Sequence, residues 1–130
     1  YEQQASFLKD KVFFHGFLSK DAVHAVLAES HFFLLPSTAS EGFPKVIAEA
    51  ACYGAIPLVS DVGSISHYVN DENGYVWFRK GQPAYSEVVE TALSSPVQEL
   101  QEKSINVLDL GKKFTFMAYV EKLNTFILSK

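Results

Sequence analysis

The chain contains 130 residues, a length typical of one compact domain, because single domains most often have about 100–150 residues. Hydrophobic residues make up 48% of the chain and charged residues 20%, a mixture that excludes a wholly disordered protein. Lys and Arg total 11 against 15 Asp and Glu, and the formal charge of −4 has the wrong sign for binding phosphate backbones through a basic surface. We therefore expect no nucleic acid partner.

Cysteine usage and apolar runs indicate the compartment. The single cysteine, Cys52, cannot form an internal disulfide or a cysteine-based metal site, which fits a reducing environment. Its small apolar neighbours predict that it is a small buried hydrophobic residue. The longest apolar stretches contain about five residues, whereas a membrane span needs roughly 20. We expect a cytoplasmic protein.

The first ten residues place Tyr1, Ala5 and Leu8 on one helical face, but no capping residue precedes them. Two explanations remain open. Either the chain is a piece of a longer protein, called the parent below, or it begins at a native terminus with a frayed helix.

Beyond this segment, short apolar runs alternate with stretches of helical spacing, as in successive βα units. Four runs are nearly continuously apolar, which is typical of strands covered on both faces. We predict strands over residues 12–17, 32–36, 56–60 and 75–78.

Helical spacing fills the intervals between these runs. Residues 20–29 follow Ser19, a suitable N-cap, and residues 44–53 begin with a proline and end before Gly54. A short helix is predicted over residues 64–69, ended by the turn-forming cluster at 70–74. Because parallel crossovers are right-handed, we predict an α/β fold with a parallel sheet of about four strands and helices on both faces.

From residue 83 onward the spacing is helical alone, which predicts a helical C-terminal tail. A second helix of this tail begins at Pro96, and Thr115 caps a third. The first helix carries an apolar stripe made of Tyr85, Val88, Val89, Ala92 and Leu93. The third carries an aromatic stripe that we expect to be buried in the core, made of Phe116, Tyr119, Val120, Leu123, Phe126 and Ile127.

One loop joins a strand end to a helix start. Residues 37–43 leave the carboxyl end of a predicted strand, where ligands of open α/β sheets bind. The first amides of the following helix lack intrahelical partners, so the backbone from Gly42 to Val46 suits a phosphate or another oxygen-rich group. Pro44 removes one donor, but its neighbours keep theirs.

Two carboxylates lie beside this loop, Glu41 within it and Glu49 in the helix. A carboxylate accepts paired hydrogen bonds from a vicinal diol, so one Glu near a ribose and one near a sugar would suit a nucleotide sugar. The alternative is that Glu41 interacts with the helix N-terminus while Glu49 is a solvated surface residue. The apolar neighbours of Glu49 favour a ligand or another partner for its carboxylate.

An ordered set of motifs runs through this region: Pro36-Ser37, Glu41-Gly42-Phe43-Pro44, Glu49-Ala50 and Gly54-Ala55-Ile56-Pro57. Similar strings lie upstream, at residues 12–17, and downstream, at Asn73-Gly74-Tyr75. Together these motifs, from about residue 11 to residue 78, resemble the signature of the retaining glycosyltransferases of the group 1, or family 4, type.

The resemblance implies the carboxyl-terminal, donor-binding domain of a GT-B enzyme, in which two Rossmann-like domains face each other across a cleft. Carried over by position, Glu49 would bind the ribose hydroxyls, and Glu41 would lie beside the transferred sugar as the catalytic residue. Gly16 and Phe17 would lie near the base, and Ser37 would approach the site from the second strand. The backbone groups that would line the sugar and the diphosphate belong to Gly42, Phe43, Pro44, Lys45 and Val46.

The chain also departs from the family pattern. His67 stands where an acidic residue is common, which leaves its contribution open. The basic residues that hold the diphosphate in the family would lie upstream of this chain, and the acceptor would be bound mainly by the other, N-terminal domain. The histidines are not spaced as a metal set, and the resemblance implies no tightly held catalytic metal, so we expect no metal and no cofactor besides the donor substrate.

The resemblance therefore predicts a parent of the hexosyltransferase type that moves a sugar from a nucleotide diphosphate sugar to an acceptor hydroxyl with retention. This chain alone would have little or no activity, and peripheral membrane association would arise only through the parent. One alternative is a module that binds the nucleotide sugar without transfer. Another is a GT-B sugar-nucleotide epimerase, which the spacing of the two Glu residues disfavours.

Overall fold

The computed structural model of the chain describes residues 11–39, 42–78 and 83–128. Its parallel sheet consists of β1 (Phe32–Leu35), β2 (Ile56–Ser60) and β3 (Tyr75–Trp77), in the order β1-β2-β3. Phe32 lies opposite Ile56, and Leu58 lies opposite Tyr75. Every residue of β2 is buried, because this strand has a neighbour on each side and helices on both faces.

The sheet has three strands within the described residues, so the prediction of a strand over residues 12–17 is wrong. Gly16 has a φ of +62°, a left-handed conformation that does not continue a strand. Phe13, Phe14 and Phe17 are exposed, so this segment also lacks the burial that stabilises a strand. An apolar run becomes a strand only where neighbouring chain pairs with it and covers it.

The helices in the described part of the chain are α1 (Lys20–Glu29), α2 (Lys45–Ala51), α3 (Tyr85–Ser94), α4 (Val97–Lys112) and α5 (Phe116–Leu123). The predicted helix over 64–69 is a single 3₁₀ turn, Ile65–His67, and a π-helical segment, Asn124–Leu128, follows α5. Ser19 caps α1 as predicted, since its hydroxyl accepts a hydrogen bond from the Ala22 amide (3.3 Å). No helix among the described residues is both long and apolar enough to cross a lipid bilayer.

Helices cover both faces of the sheet, as predicted. On one face, α2 and the carboxyl half of α4 pack against β2 through Ile47, Val59 and Val107. On the other face, α3 packs against the sheet through Ala92, next to Leu58. Removing these apolar side chains from water is the main favourable contribution to folding.

Glycines allow α4 to approach the end of α2 closely. A Cβ on Gly111 would lie 2.9 Å from the backbone nitrogen of Cys52, so a larger residue would push the helices apart. The carbonyl of Gly54 accepts a hydrogen bond from the Ser104 hydroxyl (2.8 Å).

Cys52 is nevertheless exposed, and the prediction that it is buried is wrong, because the outer side of the last turn of α2 faces solvent.

Lys103 of α4 is buried although it is charged. Its ammonium group donates to the carbonyl of Asp71, lies 3.5 Å from a carboxylate oxygen of Glu99, and lies 4.7 Å from the centroid of the Tyr75 ring. These contacts replace part of the hydration that a buried cation loses. They also hold α4 against the turn at residues 70–74 that precedes β3.

Helix α5 has the predicted cap and stripe but not the predicted burial. Thr115 accepts a hydrogen bond from the Ala118 amide (3.2 Å) and so caps the helix. No residue of α5 is buried, and Phe116 is 78% exposed, so the expectation of a core stripe is wrong. Leu93, in the stripe of α3, is exposed as well. Spacing places side chains on one helical face, but burial needs a second surface, which the described residues do not supply here.

Candidate functional site

The three parallel strands end at the same edge of the sheet, and α2 begins there. Pro44 is the N-cap of α2 and provides no side-chain cap. The Ile47 amide donates to the Pro44 carbonyl (3.1 Å), which leaves the amides of Lys45 and Val46 without intrahelical acceptors. This edge of the sheet therefore presents backbone donors next to the positive end of a helix.

The loop before α2 is held by its backbone. Gly42 has a φ of +68°, and a Cβ placed on it would meet no atom within 4 Å, so conformation and not crowding favours glycine here. Its carbonyl accepts a hydrogen bond from the Ser64 amide (3.3 Å). This bond connects the loop after β1 with the loop after β2.

Three rings, here called the aromatic triad, pack beside this loop: Phe43, Tyr68 and Phe114. Phe43 and Phe114 are stacked, with centroids 4.4 Å apart and planes inclined by 7°. Tyr68 packs edge-on against both, at centroid distances of 4.9 Å from Phe43 and 5.0 Å from Phe114. The triad joins the loop to the 3₁₀ turn and to the carboxyl end of α4.

Ser37, predicted to approach the site from its strand, lies two residues after the end of β1 and is half-buried. Its hydroxyl donates to the carbonyl of Ala39 (3.2 Å), and the amide of Ala39 lies 3.4 Å from the same oxygen. The side chain thus stabilises a local turn at the carboxyl edge of the sheet.

The environment of Glu49 differs from the one that its sequence neighbours suggest. Its neighbours Ile47, Ala48 and Ala50 are buried, but Glu49 itself is exposed, one turn after the exposed Lys45. Its apolar sequence neighbours therefore do not surround the carboxylate, because the helix turns it toward solvent. The carboxylate is accessible to a ligand or to water.

Glu41, the other predicted carboxylate, lies outside the described residues, as does the predicted helix over residues 1–10.

Gly16 and Phe17, predicted to lie near a base, are in an irregular segment and not at a strand end. Both are exposed, and the Phe17 ring is fully open to solvent. The structure does not bring them into contact with the loop at residues 42–46 through any described ring contact or hydrogen bond.

Next to β3, ring contacts and hydrogen bonds connect the sheet to the start of α3. Tyr85 donates its hydroxyl to the carbonyl of Leu58 (2.8 Å), and burial raises its pKa above the ordinary value. Trp77 packs against the Tyr85 ring at 5.4 Å and donates its indole N–H to the Pro83 carbonyl (2.9 Å). Ser60, at the end of β2, is fully buried, and its hydroxyl has no partner among the described residues.

The histidines in the described part of the chain form no metal centre, since no group of three or more His, Cys, Asp or Glu side chains there could hold an ion. His67 is exposed on the 3₁₀ turn. His24 lies on α1, where its Nδ1 is 3.0 Å from the Tyr53 hydroxyl, a contact that joins α1 to the end of α2.

A cavity of about 520 Å³ lies at the opposite edge of the sheet, where the strands begin. It is lined by Phe32 and Ile56 at the strand starts and by Leu100 and Gln101 of α4. None of the residues 42–46 lines this cavity, so it is separate from the candidate site.

Sequence reasoning missed the residues that support the loop, namely Ser64, Tyr68 and Phe114. Their contacts with Gly42 and Phe43 join parts of the chain that are distant in sequence, and local spacing carries no signal for them. An aromatic residue directly before the Thr115 cap was a weak indication, because a hydrophobic residue preceding an N-cap often packs locally.

The comparisons with known proteins concern the family and the fold. The family described as Glycosyl transferases group 1 matches residues 1–123. The fold is similar to that of HepE (Alr3699) of Anabaena, crystallised in complex with UDP and glucose, with a TM-score of 0.78 and 20% sequence identity. The similarity covers 99% of this chain but 35% of the HepE chain, so the chain spans about a third of that structure. No curated relative matches the chain by sequence.

Proposed function

Because the chain belongs to the family of glycosyl transferases of group 1 and has the fold of a GT-B carboxyl-terminal domain, we propose that it binds the nucleotide sugar donor of a retaining enzyme. That enzyme would transfer a hexose from a nucleotide diphosphate to an acceptor hydroxyl. The observation that carries this proposal is the loop at residues 42–46, where the amides of Lys45 and Val46 lack intrahelical acceptors at the carboxyl edge of the sheet, in a chain of this family.

The donor diphosphate suits the start of α2. The amides of Lys45 and Val46 would donate to phosphate oxygens, and the exposed ammonium group of Lys45 would add positive charge nearby. The glycine at residue 42 leaves open space above the backbone, so a ligand would approach it closely. The complex of HepE with UDP and glucose makes UDP and UDP-glucose the first ligands to test.

The two carboxylates would bind hydroxyl groups. Glu49 is exposed on the same side of α2 as Lys45 and would accept hydrogen bonds from the vicinal diol of the ribose. Glu41, which directly precedes Gly42 in the sequence, would orient the transferred sugar as the catalytic residue. Gly16 and the exposed Phe17 would lie near the base.

The chemistry would depend on positioning and on charge stabilisation and not on a protein nucleophile. The acceptor hydroxyl would attack the anomeric carbon from the face that the diphosphate leaves, and the leaving phosphate would take the hydroxyl proton. The protein's part is to hold the diphosphate and the sugar in this arrangement. No metal and no cofactor besides the donor belongs to the proposed step.

The rest of the site would come from outside this chain, which spans 35% of the HepE chain. We propose that an N-terminal domain binds the acceptor and that basic residues upstream complete the diphosphate site. In this proposal the enzyme acts in the cytoplasm, and the chain alone has little or no activity.

The ribose-binding role of Glu49 is tested by titrating the intact protein with UDP in a calorimeter, before and after Glu49→Ala. Hydrogen bonds to a charged group contribute about 1.5–3 kcal/mol, so we expect affinity to fall roughly tenfold or more. Glu90→Ala removes an exposed carboxylate from α3 and serves as the matched control with unchanged affinity. Equal affinities of the wild type and Glu49→Ala would contradict this role.

The transfer reaction is tested separately, by NMR analysis of the products formed by the intact protein from UDP-glucose and a panel of acceptor alcohols. We expect a new glycoside with retained anomeric configuration, together with free UDP. Binding without turnover would indicate a non-catalytic module, and a changed sugar still attached to UDP would indicate an epimerase.

A further inference from the structure

Several tertiary contacts among the described residues hold the loop that carries the proposed site. The Phe43 ring packs against Tyr68 and against the core cluster that contains Ile47 and Val107. Toward β2 it has the hydrogen bond between the Ser64 amide and the Gly42 carbonyl, whose length of 3.3 Å is near the upper end for such bonds. Toward α4 it has the stacked pair of Phe43 and Phe114. Because Gly42 is exposed and open on its outer side, the Phe43 ring is a principal fixed point of the loop.

The end of α4 holds Phe114 in a fixed position. Val107 and Leu110 of α4 are fully buried in the core, which fixes the last turns of that helix. The Phe114 amide donates to the Gly111 carbonyl (3.1 Å), and the Thr115 hydroxyl donates to the Lys112 carbonyl (3.0 Å). The backbone on both sides of the ring is therefore tied to the end of α4.

We infer that Phe114 is a positioning residue of the donor site, which acts through Phe43 to hold the loop at residues 42–46 in its ligand-binding conformation. This inference rests on the proposed function. Phe114 itself touches no donor; it holds the ring of the residue between Gly42 and the N-cap Pro44. Binding groups must be held within about 0.5 Å of their productive geometry, so the loss of this stacking should weaken donor binding more than it weakens the fold.

The exposure of Phe114 separates this role from ordinary core packing. The side chain is 39% exposed, whereas the core residues of α4 are buried almost completely. Truncating a partly exposed ring leaves no sealed cavity, so the global stability should change little. Its stacking with Phe43 at 4.4 Å is nevertheless nearly parallel and would be lost completely.

The experiment measures two quantities on the intact protein, namely the dissociation constant for UDP and the hydrogen exchange rate of the peptide containing residues 42–47. We expect Phe114→Ala to raise the dissociation constant about five- to twentyfold and to speed exchange in the loop several-fold. Phe114→Tyr keeps the stacking and should restore both to within about twofold of the wild type. Phe126→Ala removes an exposed aromatic ring that makes no described ring contact, and it should change neither quantity.

The outcomes are distinct. Unchanged loop exchange in Phe114→Ala would overturn the inference, and so would an equal effect of Phe126→Ala. A wild-type protein that binds neither UDP nor UDP-glucose would refute the proposed function, while the exchange rates would still decide whether Phe114 holds the loop. If Phe114→Ala does not fold, Phe114→Leu keeps the apolar volume without the stacking, and the same two results apply to it.

Discussion

Two aromatic regions of this chain, the aromatic triad and helix α5, differ in packing although Phe114 of the triad lies just before α5 in sequence. In the aromatic triad the half-buried Phe43 packs against Tyr68 and Phe114, with the three ring centroids within 5.0 Å of one another. Helix α5 begins two residues after Phe114, yet its Phe116 is 78% exposed, and Phe126 beyond it is 69% exposed.

The difference shows what decides whether an aromatic side chain contributes to the fold. Both regions have apolar residues at suitable positions, and α5 has the more regular stripe. The triad rings pack because a loop, a 3₁₀ turn and the carboxyl end of α4, whose inner face lies in the core, converge on them. The rings of α5 face no such surface among the described residues, so spacing by itself does not produce burial.

The largest loss of stability should follow from truncating a core side chain beneath the loop. Ile47→Ala should destabilise the protein by about 2–5 kcal/mol, because this fully buried side chain leaves a cavity between α2 and the sheet. Phe116→Ala deletes a larger side chain from the exposed stripe and should change the free energy of unfolding by less than about 0.5 kcal/mol. Chemical denaturation measures both values, and comparable losses would show that α5 packs against the core.

A double-mutant cycle measures how strongly the stacked rings of the triad stabilise each other. Phe43→Leu and Phe114→Leu should show a coupling free energy of about 0.5–1.5 kcal/mol, as expected for stacked rings in direct contact. Replacing Phe43 and Phe126 together should be additive within about 0.5 kcal/mol, since no ring contact joins them in the described structure. Additivity within the first pair would mean that the stacking contributes nothing to stability.

Tyr85 should make the free energy of unfolding depend on pH, with a smaller effect than the substitutions above. Burial raises its pKa, so the folded protein keeps this proton when the unfolded chain has lost it. The resulting stabilisation is complete below about pH 10, the ordinary value for tyrosine, and declines as the pH rises through the folded-state pKa. The stability difference between the wild type and Tyr85→Phe should therefore shrink above pH 10, as measured by denaturation between pH 8 and pH 11. A difference that is constant over this range would show that the hydroxyl titrates equally in both states.

Much of the fold follows from local signals in the sequence. Helix α1 has the predicted bounds, because Ser19 caps it and its apolar residues recur at helical spacing. Strand β2 also has the predicted bounds, because a short continuous apolar run next to a Gly-containing turn is typical of a buried strand. The loop at residues 42–46 could be placed at the carboxyl edge of the sheet from the order of the elements alone.

Other features of the structure could not be predicted without knowledge of the tertiary contacts. The left-handed conformation of Gly16 interrupts the apolar run at residues 12–17, and the sequence does not distinguish this glycine from one within a strand. Cys52 and Glu49 occur in an apolar string, but the helix turns both toward solvent. The triad depends on a contact between Phe43 and Phe114, which no pattern in either segment indicates.

The parallel pairing of β1 with β2 has a consequence for how the molecule folds. The first bond of this ladder cannot form until the connecting chain over residues 36–55 has closed into a crossover. That crossover contains the loop at residues 42–46 and the whole of α2. We therefore expect this loop to acquire its shape in the same kinetic step that creates the sheet, and substitutions there that disfavour the crossover should slow folding as well as weaken the proposed ligand binding.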